Sequence, residues 1–160
     1  MTPTAGAAAK SEREQAIDAV AGSLLPTASR LTRLLLRRSA LRVPRSEAGV
    51  LAALSGGARR ITELADREGH AQPTITQLVK RMEERGWVAR ERDPSDGRVV
   101  LVSLTEAGAV TLERIRASYR AVLREHLAEM PDEQIAALAG ATTALAALID
   151  SLQPHPGDTE

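Results

Sequence analysis

The sequence predicts a mainly helical α+β domain. Two short helices run into a β-hairpin, and long helices flank both ends. Three observations carry this reading. Ala and Leu, both strong helix formers, make up 28 and 20 of the 160 residues. Apolar residues recur at helical spacing through most of the chain. Only between Trp87 and Leu104 does that period give way to two short strand-like runs around a turn-forming segment.

Residues 1–11 lack periodicity and read as a flexible tail, as do residues 153–160. A first helix is expected from about Ser11 to Arg38, kinked or interrupted at Pro26. Its stripe is Ile17, Val20, Leu24, Leu31, Leu34 and Leu35, with Arg30, Arg33 and Arg37 on another face. Ser46 has the character of an N-cap, and Glu47 follows it in a first turn where the helix dipole favours an acid. Val50, Leu51 and Leu54 line this short helix, and Gly56 and Gly57 end it. Thr62 is expected to cap the next helix, which Gly69 stops. A further helix spans about Gln72 to Arg85, with Pro73 in its first turn and Ile75, Leu78, Val79 and Met82 as its apolar stripe.

Trp87 to Arg92 reads as a strand, Asp93 to Gly97 as a turn, and Val99 to Leu104 as a second strand. Thr105 caps a long helix through about Glu129. Pro131, Asp132 and Glu133 open a last helix striped by Ile135, Leu138, Leu145, Leu148, Ile149 and Leu152. The terminal helices carry more apolar surface than a small hairpin-bearing module covers. A second copy of the chain is the commonest cover for such a face, which predicts a homodimer. The domain reading is a first helix and link at 12–45, the helix pair and hairpin at 46–104, and C-terminal dimerisation helices at 105–152.

Composition excludes several classes of function. With no Cys there are no disulfides, thiolate metal sites or Cys nucleophiles. His70, His126 and His155 are far apart in sequence, and neither a metal site nor a cofactor is expected. No Ser/His/Asp arrangement or phosphate-cradling glycine loop is present, so the reading is not an enzyme and names no catalytic residue. The unbroken apolar runs are short, which predicts no membrane span, and the N-terminus has no apolar signal core, which predicts a cytoplasmic protein.

The net charge is zero. That neutrality is a cancellation: residues 30–104 hold 15 basic and 9 acidic residues, the rest 6 and 12. A basic middle between acidic flanks suggests a polyanion-binding part joined to a part with another task.

A short helix pair followed by a hairpin is the winged helix-turn-helix arrangement. A helix presented by its neighbours enters the major groove, where base edges can be read. Opposite its apolar stripe, the helix at 72–85 offers Gln72, Thr74, Thr76, Gln77, Lys80 and Arg81. Gln pairs with adenine, Arg with guanine, and Thr touches a thymine methyl or a phosphate. At the hairpin tip, Arg98 suits a narrow minor groove, and Asp96 can hold its guanidinium in place. Arg45, with Arg42, Arg59 and Arg60, adds phosphate-binding charge.

These residues resemble the MarR family of bacterial transcription regulators. The resemblance runs through Ile61-Thr-Glu-Leu-Ala65, then Gln72-Pro-Thr-Ile-Thr-Gln-Leu-Val-Lys-Arg-Met-Glu-Glu-Arg-Gly86-Trp-Val-Ala-Arg90. It continues in Asp93-Pro-Ser-Asp-Gly-Arg98 and Val102-Ser-Leu-Thr-Glu-Ala-Gly108. It implies a homodimer on a palindromic operator in double-stranded DNA, often repressing a nearby gene. The helix at 72–85 would be the recognition helix, and Asp96 with Arg98 the wing pair. Two recognition helices would then lie about one helical turn, ~34 Å, apart. A small aromatic or phenolic effector between the arms and the DNA-binding part is implied as well, near Leu34, Arg38, Val50, Leu54 and Tyr119. The chain departs from the family pattern at Ala71, where a hydroxyl cap is usual, at His70, and at Met130 before Pro131. Two other readings stay open: a winged-helix protein-interaction module without DNA binding, and an architectural DNA binder without sequence preference.

Overall fold

In the computed structural model, the described residues are 5–39, 41, 43–93, 96–97 and 99–152. Ala40, Arg42, Pro94, Ser95 and Arg98, and residues 1–4 and 153–160, lie outside them. The element order is α1 (Ala5–Arg38), α2 (Arg45–Leu54), β1 (Arg59–Arg60), α3 (Ile61–Glu68), α4 (Gln72–Glu84), β2 (Val88–Arg92), β3 (Val100–Leu104), α5 (Glu106–Leu127) and α6 (Asp132–Leu152). The chain divides into two compact units, one through Arg120 and one from Ala121 onward.

The first unit is a winged helix-turn-helix. α2, α3 and α4 enclose a core that includes Val50, Leu51, Leu54, Leu64, Ile75, Leu78, Val79 and Met82. Val88 and Val102 close it from the sheet, and Leu112 and Ile115 from α5. The stripe expected on α4 is the one that is buried. β2 and β3 form the expected antiparallel hairpin, with Val88 opposite Leu104 and Arg92 opposite Val100. Each strand begins one residue later than the sequence suggests. Trp87 is held outside β2 because its N–H donates to the Met82 carbonyl at the end of α4. A third strand, β1, pairs with β3 on the far side from β2. At two residues it is too short for any alternation to announce it.

The helix starts differ from expectation in a consistent way. Ser46 and Thr62 lie inside α2 and α3 and do not cap them. At α2 the cap position is Pro44, whose carbonyl accepts from the Ala48 N–H at 3.0 Å. At α3 the Arg60 N–H donates to Glu63 Oε2 at 3.2 Å, so the acid caps from within the helix. α1 starts at Ala5, not Ser11, so part of the expected tail is helical, and it continues through Pro26 without interruption. A proline removes one backbone donor, and a long Ala/Leu-rich helix supplies enough other bonds to continue. Thr105 does cap α5: its Oγ1 accepts from the Gly108 N–H at 3.0 Å and donates to the Gly86 carbonyl at 2.6 Å. This bond fastens the start of α5 to the glycine that ends α4, where the backbone turns left-handed at φ 72°.

The second unit contains the end of α5 and all of α6. Pro131 and Asp132 open α6 as expected, and the Pro131 carbonyl accepts from Gln134 and Ile135. No α6 residue is buried, and Leu138, Leu145, Leu148, Ile149 and Leu152 are all exposed. α6 also amends the expectation of no membrane span. Its 21 residues reach a mean hydropathy of 1.7 over 18 residues, long and apolar enough for a crossing by those measures alone. The short apolar runs conceal this, because alanine raises the average without forming a continuous run of large apolar residues.

Candidate nucleic-acid interface

α4 is the element on which the sequence-predicted contacts converge. Its buried stripe fixes its rotation, so the opposite face is the one presented. Gln72, Thr74, Gln77, Lys80 and Arg81 are all exposed there. Thr76 is half-buried, and its Oγ1 donates to the Gln72 carbonyl at 2.8 Å. That hydroxyl proton is used within the helix, leaving its lone pairs and methyl for other contacts. Ala71 occupies the N-cap position without a side-chain cap, in line with the departure read from the sequence.

Two hairpin residues were expected to act together. Asp96 is exposed in the turn, and its carbonyl accepts from the Val99 N–H at 2.8 Å. Arg98, its expected partner, lies outside the described residues. Asp93 closes the hairpin by donating its N–H to the Val99 carbonyl at 2.9 Å, and its carboxylate lies 3.9 Å from Arg60 Nη2. Arg45, the first residue of α2, is exposed. Arg59 is committed elsewhere, its Nε donating to the Ala53 carbonyl at 2.9 Å.

Sequence reasoning missed an ion pair, buried on its acidic side only, that positions α4. Glu47 in the first turn of α2 is 3% exposed and accepts from Arg85 Nη1 at 2.7 Å. The same guanidinium lies over the Trp87 ring, 5.1 Å from its centroid. Trp87 is half-buried and packs against the core, as a structural aromatic does. Glu47, Arg85 and Trp87 thus tie α2, the end of α4 and the entry to the hairpin together. The only sequence signal was Glu47 itself, an acid among core-facing positions.

The first unit also contains a cleft of about 1080 Å³ between α1, α2, α3, α4 and Tyr119 of α5. Its apolar wall includes Leu35, Leu36, Leu78 and Tyr119, its charged lining is Arg45, Arg67, Glu68 and Arg81, and His70 lies among them. Of the positions the family resemblance implied, Tyr119 lines the cleft. Leu34, Arg38, Val50 and Leu54 do not line it, and Val50 and Leu54 are wholly committed to the core. Burial pushes the Tyr119 phenol above its ordinary value of 10.0. Thr74, Leu78 and Arg81 place α4 on the cleft wall, and Thr74 and Arg81 also belong to the exposed face described above.

Comparison with known proteins decides the lineage. A family profile described as "MarR family" matches residues 43–99. The HTH-type transcriptional regulator Mb0904 of Mycobacterium bovis is 32% identical over 133 residues, covering 82% of this chain and 93% of that protein. The chain belongs to the MarR family. Another relative is the HTH-type transcriptional repressor MdtR of Bacillus subtilis. It is 30% identical over 98 residues, which span 61% of this chain and 63% of MdtR. Among solved structures, a mutant form of MarR from E. coli superposes with a TM-score of 0.68 at 25% identity, covering 78% of this chain and 95% of that one. Helix pair, hairpin and long flanking helices are therefore the MarR winged-helix fold, and the relatives are transcriptional regulators.

Proposed function

We propose that this MarR-family chain is a homodimeric, sequence-specific DNA-binding transcription regulator, acting as a repressor. The observation that carries the proposal is the single exposed face of α4, where Gln72, Thr74, Gln77, Lys80 and Arg81 stand opposite the buried Ile75, Leu78, Val79 and Met82. Amides, hydroxyls and cations on one helix face suit base edges and phosphates together. A module that binds only proteins has no need of that set. Gel-shift titration against promoter DNA beside its own gene is the test. Binding should weaken steeply with salt and should resist competition by random DNA. Salt-insensitive or absent binding refutes the proposal, and equal competition by random DNA supports the architectural alternative.

The homodimer reading is supported by the exposed apolar residues of α6 and by Ile17, Val20, Leu31 and Leu34 on α1. Sedimentation of the purified chain should give twice the 17.1 kDa chain mass. A monomer that partitions into detergent or vesicles would assign α6 to a membrane instead. Effector release is supported by the cleft, whose apolar wall and arginines suit a small aromatic acid or phenol. An aromatic acid that leaves the gel shift unchanged at saturating occupancy would remove release from the proposal.

A further inference from the structure

Glu68 is the odd group in the cleft. Every other charged or titratable lining side chain except the Tyr119 phenol is Arg or His. Glu68 ends α3, is half-buried, and packs its carboxylate onto Gly49 of α2. A Cβ added to Gly49 would come within 2.8 Å of Glu68 Cδ and 3.0 Å of Oε1. The carboxylate therefore occupies the volume that any larger residue at 49 would fill. It has no hydrogen bond or ion pair with a described residue.

A half-buried acceptor without a protein partner is only partly satisfied by water, and a ligand donor can take that place. The charge of the ligand's donor follows from the surroundings. Arg45, Arg67 and Arg81 give the cleft a positive excess that disfavours a second cation. An uncharged hydroxyl or ring N–H meets Glu68 without that repulsion, while the arginines take an acid group. We propose that Glu68, seated on Gly49, is the specificity-determining acceptor of the cleft. It selects an aromatic acid carrying an uncharged hydrogen-bond donor over the same acid without one. This rests on the effector reading above and adds the residue and the chemical group that discriminate.

The seat can be disturbed without disturbing the fold. The group that meets a side chain at 49 is the far end of a flexible side chain, so Gly49→Ala displaces the carboxylate and leaves the backbone in place. The experiment is calorimetric titration of the purified full chain with benzoate and with its monohydroxy isomers. At least one isomer should bind about tenfold tighter than benzoate, the scale of one hydrogen bond to a charged acceptor. Glu68→Met, similar in length but without an oxygen, should bring that ratio close to one. Glu68→Gln keeps an acceptor and should retain part of it. Gly49→Ala should lower the ratio at an unchanged melting temperature. Equal binding of benzoate and every isomer by the unaltered chain overturns the proposal, as does a ratio that survives Glu68→Met. If none of the acids binds, the effector reading falls and Glu68's role falls with it.

Discussion

Arg85 and Glu47 are 38 positions apart in sequence and 2.7 Å apart in space, and they differ sharply in exposure. The Glu47 side chain is 3% exposed and that of Arg85 is 47% exposed. Removing one partner is therefore unlike removing the other. Arg85→Ala strands a carboxylate in the core and is expected to cost about 2–3 kcal/mol, somewhat below a fully buried pair. Glu47→Gln keeps an acceptor of the same shape and lets the guanidinium hydrate, so about 1 kcal/mol is expected. Denaturant titration of both variants checks the order. A larger loss in Glu47→Gln would contradict it.

Under the proposed function, the exposed face of α4 would make two kinds of contact. Lys80→Ala should weaken operator and random DNA alike and reduce the logarithmic salt slope by about 1, as loss of one phosphate contact does. Gln77→Ala should cost ~1–3 kcal/mol on the operator and little on random DNA. Salt-dependent binding isotherms on both DNAs separate the two. Arg98→Ala should cost ~1–3 kcal/mol in the same assay if the hairpin grips a groove.

Gly108 is required for packing and not for backbone freedom. It is buried in the first turns of α5, and a Cβ there would run into the Trp87 carbonyl and lie 2.9 Å from Leu104 Cδ1. The obstructing oxygen belongs to the backbone and already accepts from the Thr105 N–H at 3.1 Å. It cannot swing aside as a side chain would. Gly108→Ala is expected to cost about 3 kcal/mol, the upper end for overpacking. Thermal melting checks this, and an unchanged midpoint would show that α5 can shift away from the hairpin.

Tyr119 is the chain's single tyrosine, so tyrosinate absorbance reports the cleft wall directly. Burial disfavours its charged form, and the folded chain should titrate above 10.0. The linkage follows in sign. Both states are neutral below 10.0, and above it the unfolded chain ionises first, so this group's contribution to stability is lost as pH rises through the folded value. A bound aromatic acid should raise the midpoint further. A titration at or below 10.0 would place the phenol in open water.

The parts legible in the sequence were those governed by local pattern. Ile75, Leu78, Val79 and Met82 declare α4 by spacing, and Thr105 declares the start of α5 by its hydroxyl. Ser46 and Thr62 carry hydroxyls near helix starts but lie one residue inside, where they cap nothing. Pro44 and the Glu63 carboxylate do that work with no hydroxyl at all. β1 exists only because β3 offers it an edge, so nothing local marks it. The Glu47–Arg85 pair and the Glu68–Gly49 contact join residues from different helices, and spacing arguments within one element cannot reach them.

α4 carries Thr74 and Arg81 on both its exposed face and the wall of the cleft. Under the proposed function, one rigid helix would serve two binding equilibria. If an occupant of the cleft lowers operator affinity by some factor, the operator must lower affinity for that occupant by the same factor. Sensitivity to a metabolite is then not a fixed constant of the protein. It would depend on how much of the regulator is held on DNA, with the unbound pool responding first and operator-bound dimers responding at higher concentration.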